Sequence, residues 1–324
     1  MINGWPKNNP NLRVCLLLLF LFPAALTAQW NWQRIDSAYG NLPASLQVYR
    51  TQDPVDGKPN VAYYVEADLQ DPALDFRADT SYKRRLTPAQ FFTKLNAPYV
   101  IVNTSFFSFS THQNLNMMMD QGKMIAYNVH ALAGKGKDTL KFRHPLVGAL
   151  GISRTGKADV AWTFTDSSSQ RAMASQVPMP LILNREARFP RDSVSVRTTT
   201  WRMQTAVSGG PVLVQTGKVQ VTNNEEWKFA GKAINDRHPR TAMGYTAAGR
   251  LIILVVEGRF PGIAEGTTLT QTAEMLISLG CVEALNLDGG GSSCMLVNGQ
   301  ATIRPSDKEG QRAIPGIFYI GQKN

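Results

Sequence analysis

Short apolar runs separated by turn residues dominate the chain. Segments 46–50, 61–67, 99–103, 147–152, 158–164, 212–215, 242–246, 251–257, 284–287, 295–298 and 316–320 each have the length and aliphatic or β-branched content of a strand. Thr216-Gly217-Lys218, Ala248-Gly249-Arg250 and Asn298-Gly299 supply turn signals between several of them. Strands joined by turns this short run antiparallel. Two segments carry helix signals instead. Thr87 and Pro88 suit the N-cap and first position of a helix that continues through Phe91, Phe92 and Leu95. Between about 268 and 279, Leu269, Ala273, Leu276 and Ile277 share one helical face, and Gly280 can close the helix in a left-handed turn. The pattern predicts an α+β fold: a strand-rich single domain with mainly antiparallel sheet and a few helices.

The first residues read differently. Lys7 and Arg13 precede the apolar run 14–22, which gives way to Pro23 and small residues up to Ala28. This pattern predicts a secretory signal peptide over 1–28. The run falls short of the roughly 20 residues that a membrane span needs. Segment 29–97 is then an N-terminal strand-rich part of the same domain, and 98–324 is the catalytic region argued for below. No later segment is long enough to cross a bilayer, since 251–256 has the length of one buried strand. The expected location is exported, either periplasmic or extracellular. Composition supports a substantial core, with 43% hydrophobic and 18% charged residues in a chain of 324. The net charge is +10, two units of it in the leader. The excess is scattered in clusters such as Lys83-Arg84-Arg85 and Arg237 with Arg240, without an aromatic-interleaved stripe. Anionic substrates or cell-surface polymers therefore fit better than nucleic acid. Beyond the leader only Cys281 and Cys294 remain, either as a disulfide or as two buried thiols.

The most informative segment is Asn286-Leu287-Asp288-Gly289-Gly290-Gly291-Ser292-Ser293. A buried strand delivers one carboxylate, and three glycines and two hydroxyls follow before the next strand. Three consecutive glycines cost conformational entropy on ordering, so something must require them. They serve either a turn of unusual backbone angles or close approach of a ligand to a concave nest of amides. The spacing does not match a dinucleotide fingerprint, because a third glycine is missing and a strand follows in place of a helix. No G-x-S-x-G elbow occurs, and His112, His130, His144 and His238 lack zinc-ligand spacing.

Three further clusters sit at strand ends: Asn103-Thr104-Ser105-Phe106-Phe107, Ser208-Gly209-Gly210-Pro211, and Arg237-His238-Pro239-Arg240-Thr241-Ala242-Met243-Gly244. The planar fork of arginine suits phosphate, which it binds through paired oxygens. Asn103-Thr104-Ser105 also matches a glycosylation sequon, although its place at a strand end favours a buried role. Together and in order, these clusters, Glu257-Gly258-Arg259, the segment 285–293 and a tail with Arg304-Pro305 and Arg312 resemble the phosphodiester glycosidase family. The resemblance runs from about Pro98 to the C-terminus. Thr104 stands where the family has glycine, Glu257 where it has Asp, and Gln271 where it often has Glu.

The resemblance implies hydrolysis of a sugar-1-phosphodiester or phosphorylated glycan between the anomeric carbon and the phosphate oxygen. A departing phosphomonoester is already stable as an anion, so the site chiefly has to hold that anion and stabilise a cationic sugar. On this basis Arg240 and Arg259 grip phosphate, and the amides of Gly289, Gly290 and Gly291 bind it or the developing charge. Asp288 acts as base for water or as stabiliser of the oxocarbenium ion, with Glu257 as the second carboxylate. Asn103, Phe107, Ser208, Gly209, Gly210, Arg237, Thr241, Ser292 and Ser293 complete the expected substrate-binding set. A carboxylate beside phosphate is repulsive, so Asp288 must be paired with arginine, protonated, or bound to a divalent cation. No cofactor follows from the sequence beyond that possible cation. Two alternatives use the same residues: a phosphodiesterase that breaks the P–O bond, and a non-catalytic module that binds phosphorylated envelope glycans.

Overall fold

The computed structural model describes residues 1, 4, 30–133, 142–180 and 197–323. Apart from Met1 and Gly4, the expected leader lies outside them. Both predicted helices form where their caps place them. Pro88–Lys94 and Leu269–Ser278 each open with a capping box, in which Thr87 or Thr268 accepts from the third helical amide and Gln90 or Gln271 reaches back to the cap N–H. Gly280 follows the second helix with φ +83°. A third, short helix covers Asn223–Glu226.

Three large antiparallel sheets carry most of the rest, beside a two-stranded ribbon of Leu132–Ala133 and Phe142–Arg143. An eight-stranded sheet runs in the order Gln33–Arg34, Leu46–Thr51, Ala62–Asp68, Arg250–Val256, Arg240–Thr246, Cys281–Asn286, Val212–Gln215, Lys218–Val219. A seven-stranded sheet is centred on Val147–Ile152, flanked by Ala158–Asp166 and Thr205–Ser208. A five-stranded sheet pairs Val100–Asn103 with Met295–Val297 on one side and Gly316–Gln322 on the other, with Leu74–Thr80 at its edge. One apolar cluster draws on all three sheets, through residues such as Leu251, Leu285, Trp162, Val207, Val102 and Phe318. The helix Leu269–Ser278 covers the opposite face of the largest sheet, seating Leu269, Ala273 and Leu276 against Leu254, Val256 and Ala284. Of the expected N-terminal strands, Ala62–Asp68 pairs directly with Arg250–Val256, and Leu46–Thr51 pairs with Ala62–Asp68.

Segments 171–175, 205–208 and 74–80 form strands that the apolar pattern does not single out. The first is alanine-rich, the second only four residues long, and the third carries Asp75, Arg77 and Asp79 on one side. Pairing and burial override weak local preference there. Cys281 and Cys294 are free, buried and in separate apolar clusters. The thiol alternative therefore holds, and burial pushes Cys294 up to about 12.

The fold positions the candidate site by routing the chain between sheets. Residues 287–294 carry it from Cys281–Asn286 in the eight-stranded sheet to Met295–Val297 in the five-stranded one. Residues 209–211 carry it from Thr205–Ser208 in the seven-stranded sheet to Val212–Gln215 in the eight-stranded one. Asn103 stitches the seam. Its side-chain amide donates to the Asp288 carbonyl at 2.6 Å, and its oxygen accepts from the Thr241 hydroxyl at 2.8 Å and the Cys294 amide at 3.0 Å. With Asn103 only 1% exposed, the sequon is closed to glycosylation in the folded chain. Removing this side chain strands three buried partners. Asn103→Ala is expected to lower unfolding free energy by about 2–4 kcal/mol, read as a shift of the urea midpoint at unchanged slope; a midpoint equal to wild type would refute the seam.

Candidate active site

The acidic glycine bend and the arginine segment meet. The Gly290 amide donates to the Pro239 carbonyl at 2.9 Å, and the Leu287 amide donates to the Thr241 carbonyl at 2.9 Å. The glycines answer to what lies on them. A Cβ at Gly289 would stand 2.9 Å from the Pro239 carbonyl oxygen, and one at Gly290 2.8 Å from an Arg259 guanidinium nitrogen. One at Gly291 would stand 2.5 Å from the Arg312 guanidinium carbon. Gly290 also has φ +60°, inside a single turn of 3-10 helix over Gly290–Ser292. Close approach, of two guanidinium groups and one carbonyl, is what requires three residues without side chains.

Asp288 sits at the edge of this bend, partly exposed. Burial is the largest influence on its carboxyl and pushes it up to about 6. The Ser292 hydroxyl, the charge of Arg312 and the Gly289 amide pull the other way. The carboxyl therefore keeps its proton to a higher pH than a free aspartate, up to about 6, and is ionised above it. The Gly290 amide is spent on Pro239 and that of Gly289 serves Asp288, so the open amide nest expected from sequence is not what the bend offers.

Arg240 is buried, with no carboxylate partner among the described residues. Its Nε donates to the Thr267 carbonyl and Nη2 to the Asp236 carbonyl, both at 2.9 Å. Nη1 has no hydrogen-bond partner among the described residues. Burial pushes the group down to about 10, a shift that Asp236 opposes and Arg259 adds to. Its guanidinium carbon lies 6.0 Å from the Phe229 ring centre. Arg259 is exposed, adopts φ +67° and lies over Gly290. The bend therefore faces positive charge that the protein does not fully neutralise, the electrostatic setting of an anion site.

Other expected site residues act at one remove. Both Glu257 oxygens are engaged by Arg304, with Oε1 accepting from its Nε at 2.8 Å and Nη2 at 2.6 Å, and Oε2 from its amide at 2.9 Å. A carboxylate held this way is poorly placed to be the second catalytic group; it fixes Arg304 against the Phe260 ring, 4.0 Å away. Arg237 turns from the bend to donate to the Val55 and Gly266 carbonyls. The Ser208 hydroxyl donates to the Gly148 carbonyl at 2.8 Å, and the Gly210 amide to the Asn286 carbonyl at 2.7 Å. A Cβ at Gly209 would stand 2.7 Å from that same carbonyl oxygen. These residues and Thr241 set backbone positions. Phe107 is buried in the cluster with Phe91, Ile101 and Leu296. Ser293 Oγ and Ser105 Oγ are buried with no hydrogen-bond partner among the described residues.

Two residues gain weight that sequence reasoning did not give them. Arg312 lies over Gly291, donates from Nη1 to the Ser292 hydroxyl at 3.3 Å and is anchored through Nε to Asp307 at 2.5 Å. His238 sits between Arg237 and Pro239; burial, Arg240 and Arg259 lower its pKa while Asp236 raises it. The sequence signals were the place of Arg312 in the tail that carries the resemblance and that of His238 inside the cluster 237–244. Among the described residues no three His, Cys, Asp or Glu side chains converge as a metal set. A divalent cation at the bend would thus have Asp288 as its protein carboxylate.

Comparison with known proteins bears on the family and the fold. A family model described as phosphodiester glycosidase matches residues 96–321. The bovine N-acetylglucosamine-1-phosphodiester alpha-N-acetylglucosaminidase is 33% identical over 109 residues, which is 31% of this chain and 20% of that protein. The chain thus spans a small part of the curated relatives it matches. The catalytic domain of the zebrafish enzyme of the same name, auto-inhibited by its pro-peptide, superposes with a TM-score of 0.58 at 19% identity, over 92% of this chain and 89% of that one. A hypothetical protein from Synechocystis gives a TM-score of 0.60 at 16% identity, over 90% and 64%. The strand-rich antiparallel fold is common to them, and the chain belongs to the phosphodiester glycosidase family.

Proposed function

We propose that this protein is an exported glycosidase that hydrolyses a sugar-1-phosphodiester at the anomeric carbon, releasing free sugar and a phosphomonoester. The observation that carries this reading is a single carboxyl with a raised pKa, Asp288, on a glycine bend that Arg259 and Arg312 overlie and that is tied by hydrogen bonds to the backbone on either side of Arg240. Arg240 and Arg259 hold the phosphate and stabilise it as it departs. The anomeric carbon–oxygen bond breaks with its electron pair going to the phosphate oxygen, and the sugar gains oxocarbenium character. Asp288, in its ionised form, takes a proton from water as the water oxygen bonds to the anomeric carbon. Glu257 acts by holding Arg304. Arg237, Asn103, Phe107 and the 208–211 turn support the walls.

The name of the bovine relative specifies an N-acetylglucosamine-1-phosphodiester, and that class is the first substrate to offer. Export rests on the leader pattern over residues 1–28. Among the described residues no helix is long and apolar enough to cross a membrane.

Two measurements check the chemistry. Because the ionised carboxyl is the working form, kcat/KM is expected to rise about tenfold per pH unit below about 6 and to level off above it. Asp288→Asn should remove that limb and lower kcat by about 10²–10⁴-fold; normal turnover in this variant would remove Asp288 from the mechanism. In heavy-oxygen water the label is expected in the sugar product. Label in the phosphomonoester would establish P–O cleavage instead, and binding without any product would favour the glycan-binding module.

A further inference from the structure

A carboxylate and an amine that the proposed chemistry does not use sit against the turn 208–211. The short helix Asn223–Glu226 ends at Trp227 in the left-handed conformation, φ +50°, and the chain doubles back. Glu226 and Lys228 thereby both reach Gly210: a Cβ there would collide with Glu226 Oε2 and stand 2.7 Å from Lys228 Cε. Glu226 is fully occupied. Its Oε2 accepts from the Gly148 amide at 2.8 Å, and its Oε1 accepts from the Val212 amide and the Thr222 hydroxyl, each at 2.7 Å. Lys228 Nζ has no hydrogen-bond partner among the described residues and lies 5.3 Å from the centre of the Phe106 ring.

That ring is connected to the candidate active site by the chain and through Phe229. Phe106 follows Thr104 by two residues, and the Thr104 carbonyl receives the Asp288 amide at 2.7 Å. It meets Phe229 edge to face at 5.9 Å, and Phe229 stands 6.0 Å from the Arg240 guanidinium carbon. Lys228 and Arg240 thus flank one aromatic wall, each with donor capacity left over. We propose that Lys228 is an anion-binding residue of this site, its ammonium donating to a phosphate oxygen of the bound diester alongside Arg240. The assignment rests on the reading of the bend as a phosphate site and adds a residue that neither the sequence motifs nor the glycine bend identifies. Glu226 is the positioning residue behind it, holding the ammonium toward the wall through its charge.

The charged neighbours are Glu226 on its own segment, Arg240 with Asp236 across Phe229, and Arg143 over the Trp227 ring at 4.4 Å. Burial pushes the Lys228 amine down to about 8, against the pull of Glu226, and burial pushes Glu226 up. The ammonium is therefore lost as pH rises through about 8. Arg240, pushed down only to about 10, stays charged there.

Binding of inorganic phosphate, measured by calorimetry between about pH 7.5 and 9.5, tests the assignment without turnover; over this span phosphate remains largely a dianion. Wild-type affinity is expected to fall through about pH 8, approaching tenfold per pH unit while the ammonium supplies most of the discrimination. Lys228→Met should bind about ten- to a hundredfold more weakly at pH 7.5 and lose the pH dependence. Lys228→Arg should keep the affinity and carry it flat to pH 9.5, which separates a charge contact from a packing role even where Lys228→Met folds poorly. Wild-type binding that is level across this span, or a Lys228→Met protein with wild-type affinity and pH dependence, overturns the proposal. Phosphate binding that behaves as expected in a protein without glycosidase turnover would instead count against the catalytic reading and leave Lys228 assigned.

Discussion

Everything at the site depends on how closely guanidinium groups approach the backbone of residues 289–291. Arg259 and Arg312 occupy the space where side chains would begin, and the Pro239 carbonyl takes up the room beside Gly289. Any residue with a Cβ would push these groups away and separate Asp288 from the positive field around it. The glycines are thus less a flexible loop than a flat surface for charge. Their entropic cost is offset by a bend that is tied down on both sides, by Asn103 and Thr104 from one sheet and by Pro239 and Thr241 from another.

That arrangement explains why the motifs lie so far apart in sequence. Each is a place where the chain leaves one sheet for another or ends a strand at their junction. Ser208 to Pro211 packs its glycines against Asn286 and Glu226, so that turn supports the strand delivering Asp288. Glu257 and Arg304 brace the loop that carries Arg259. Burial raises the pKa of Asp288 and lowers that of Arg240 for the same physical reason, which is that loss of water disfavours the charged form of each by more than Arg312 or Asp236 restores. An anionic ligand relieves the strain on the arginine.

Local chemistry was legible in the chain wherever a residue type has few uses. The Thr87 and Thr268 caps, the triple glycine and the Arg237-His238-Pro239-Arg240 string all signalled their positions, and the family resemblance built on them agrees with the matched family model. Side-chain partners were not legible. A carboxylate at 257 reads as catalytic until Arg304 is found bound to both of its oxygens. The place of Asn103 at a strand end pointed to a buried role, but not to the three hydrogen bonds that its side chain carries. Lys228 gave no signal, because nothing in Trp227-Lys228-Phe229 shows that a left-handed residue turns it toward Gly210. Pairing between residues distant in sequence decides such matters, and periodicity is blind to it.

The central claim is that the uncompensated arginines hold a phosphate while Asp288 faces the sugar. A crystal structure with a non-hydrolysable sugar-1-phosphonate diester tests it most directly. The account places the phosphonate oxygens within hydrogen-bonding distance of Arg240 and Arg259, and the anomeric carbon on the Asp288 side of the bend. A ligand seated with its sugar against the arginines and its phosphonate on Asp288, or bound away from residues 288–293 altogether, contradicts it.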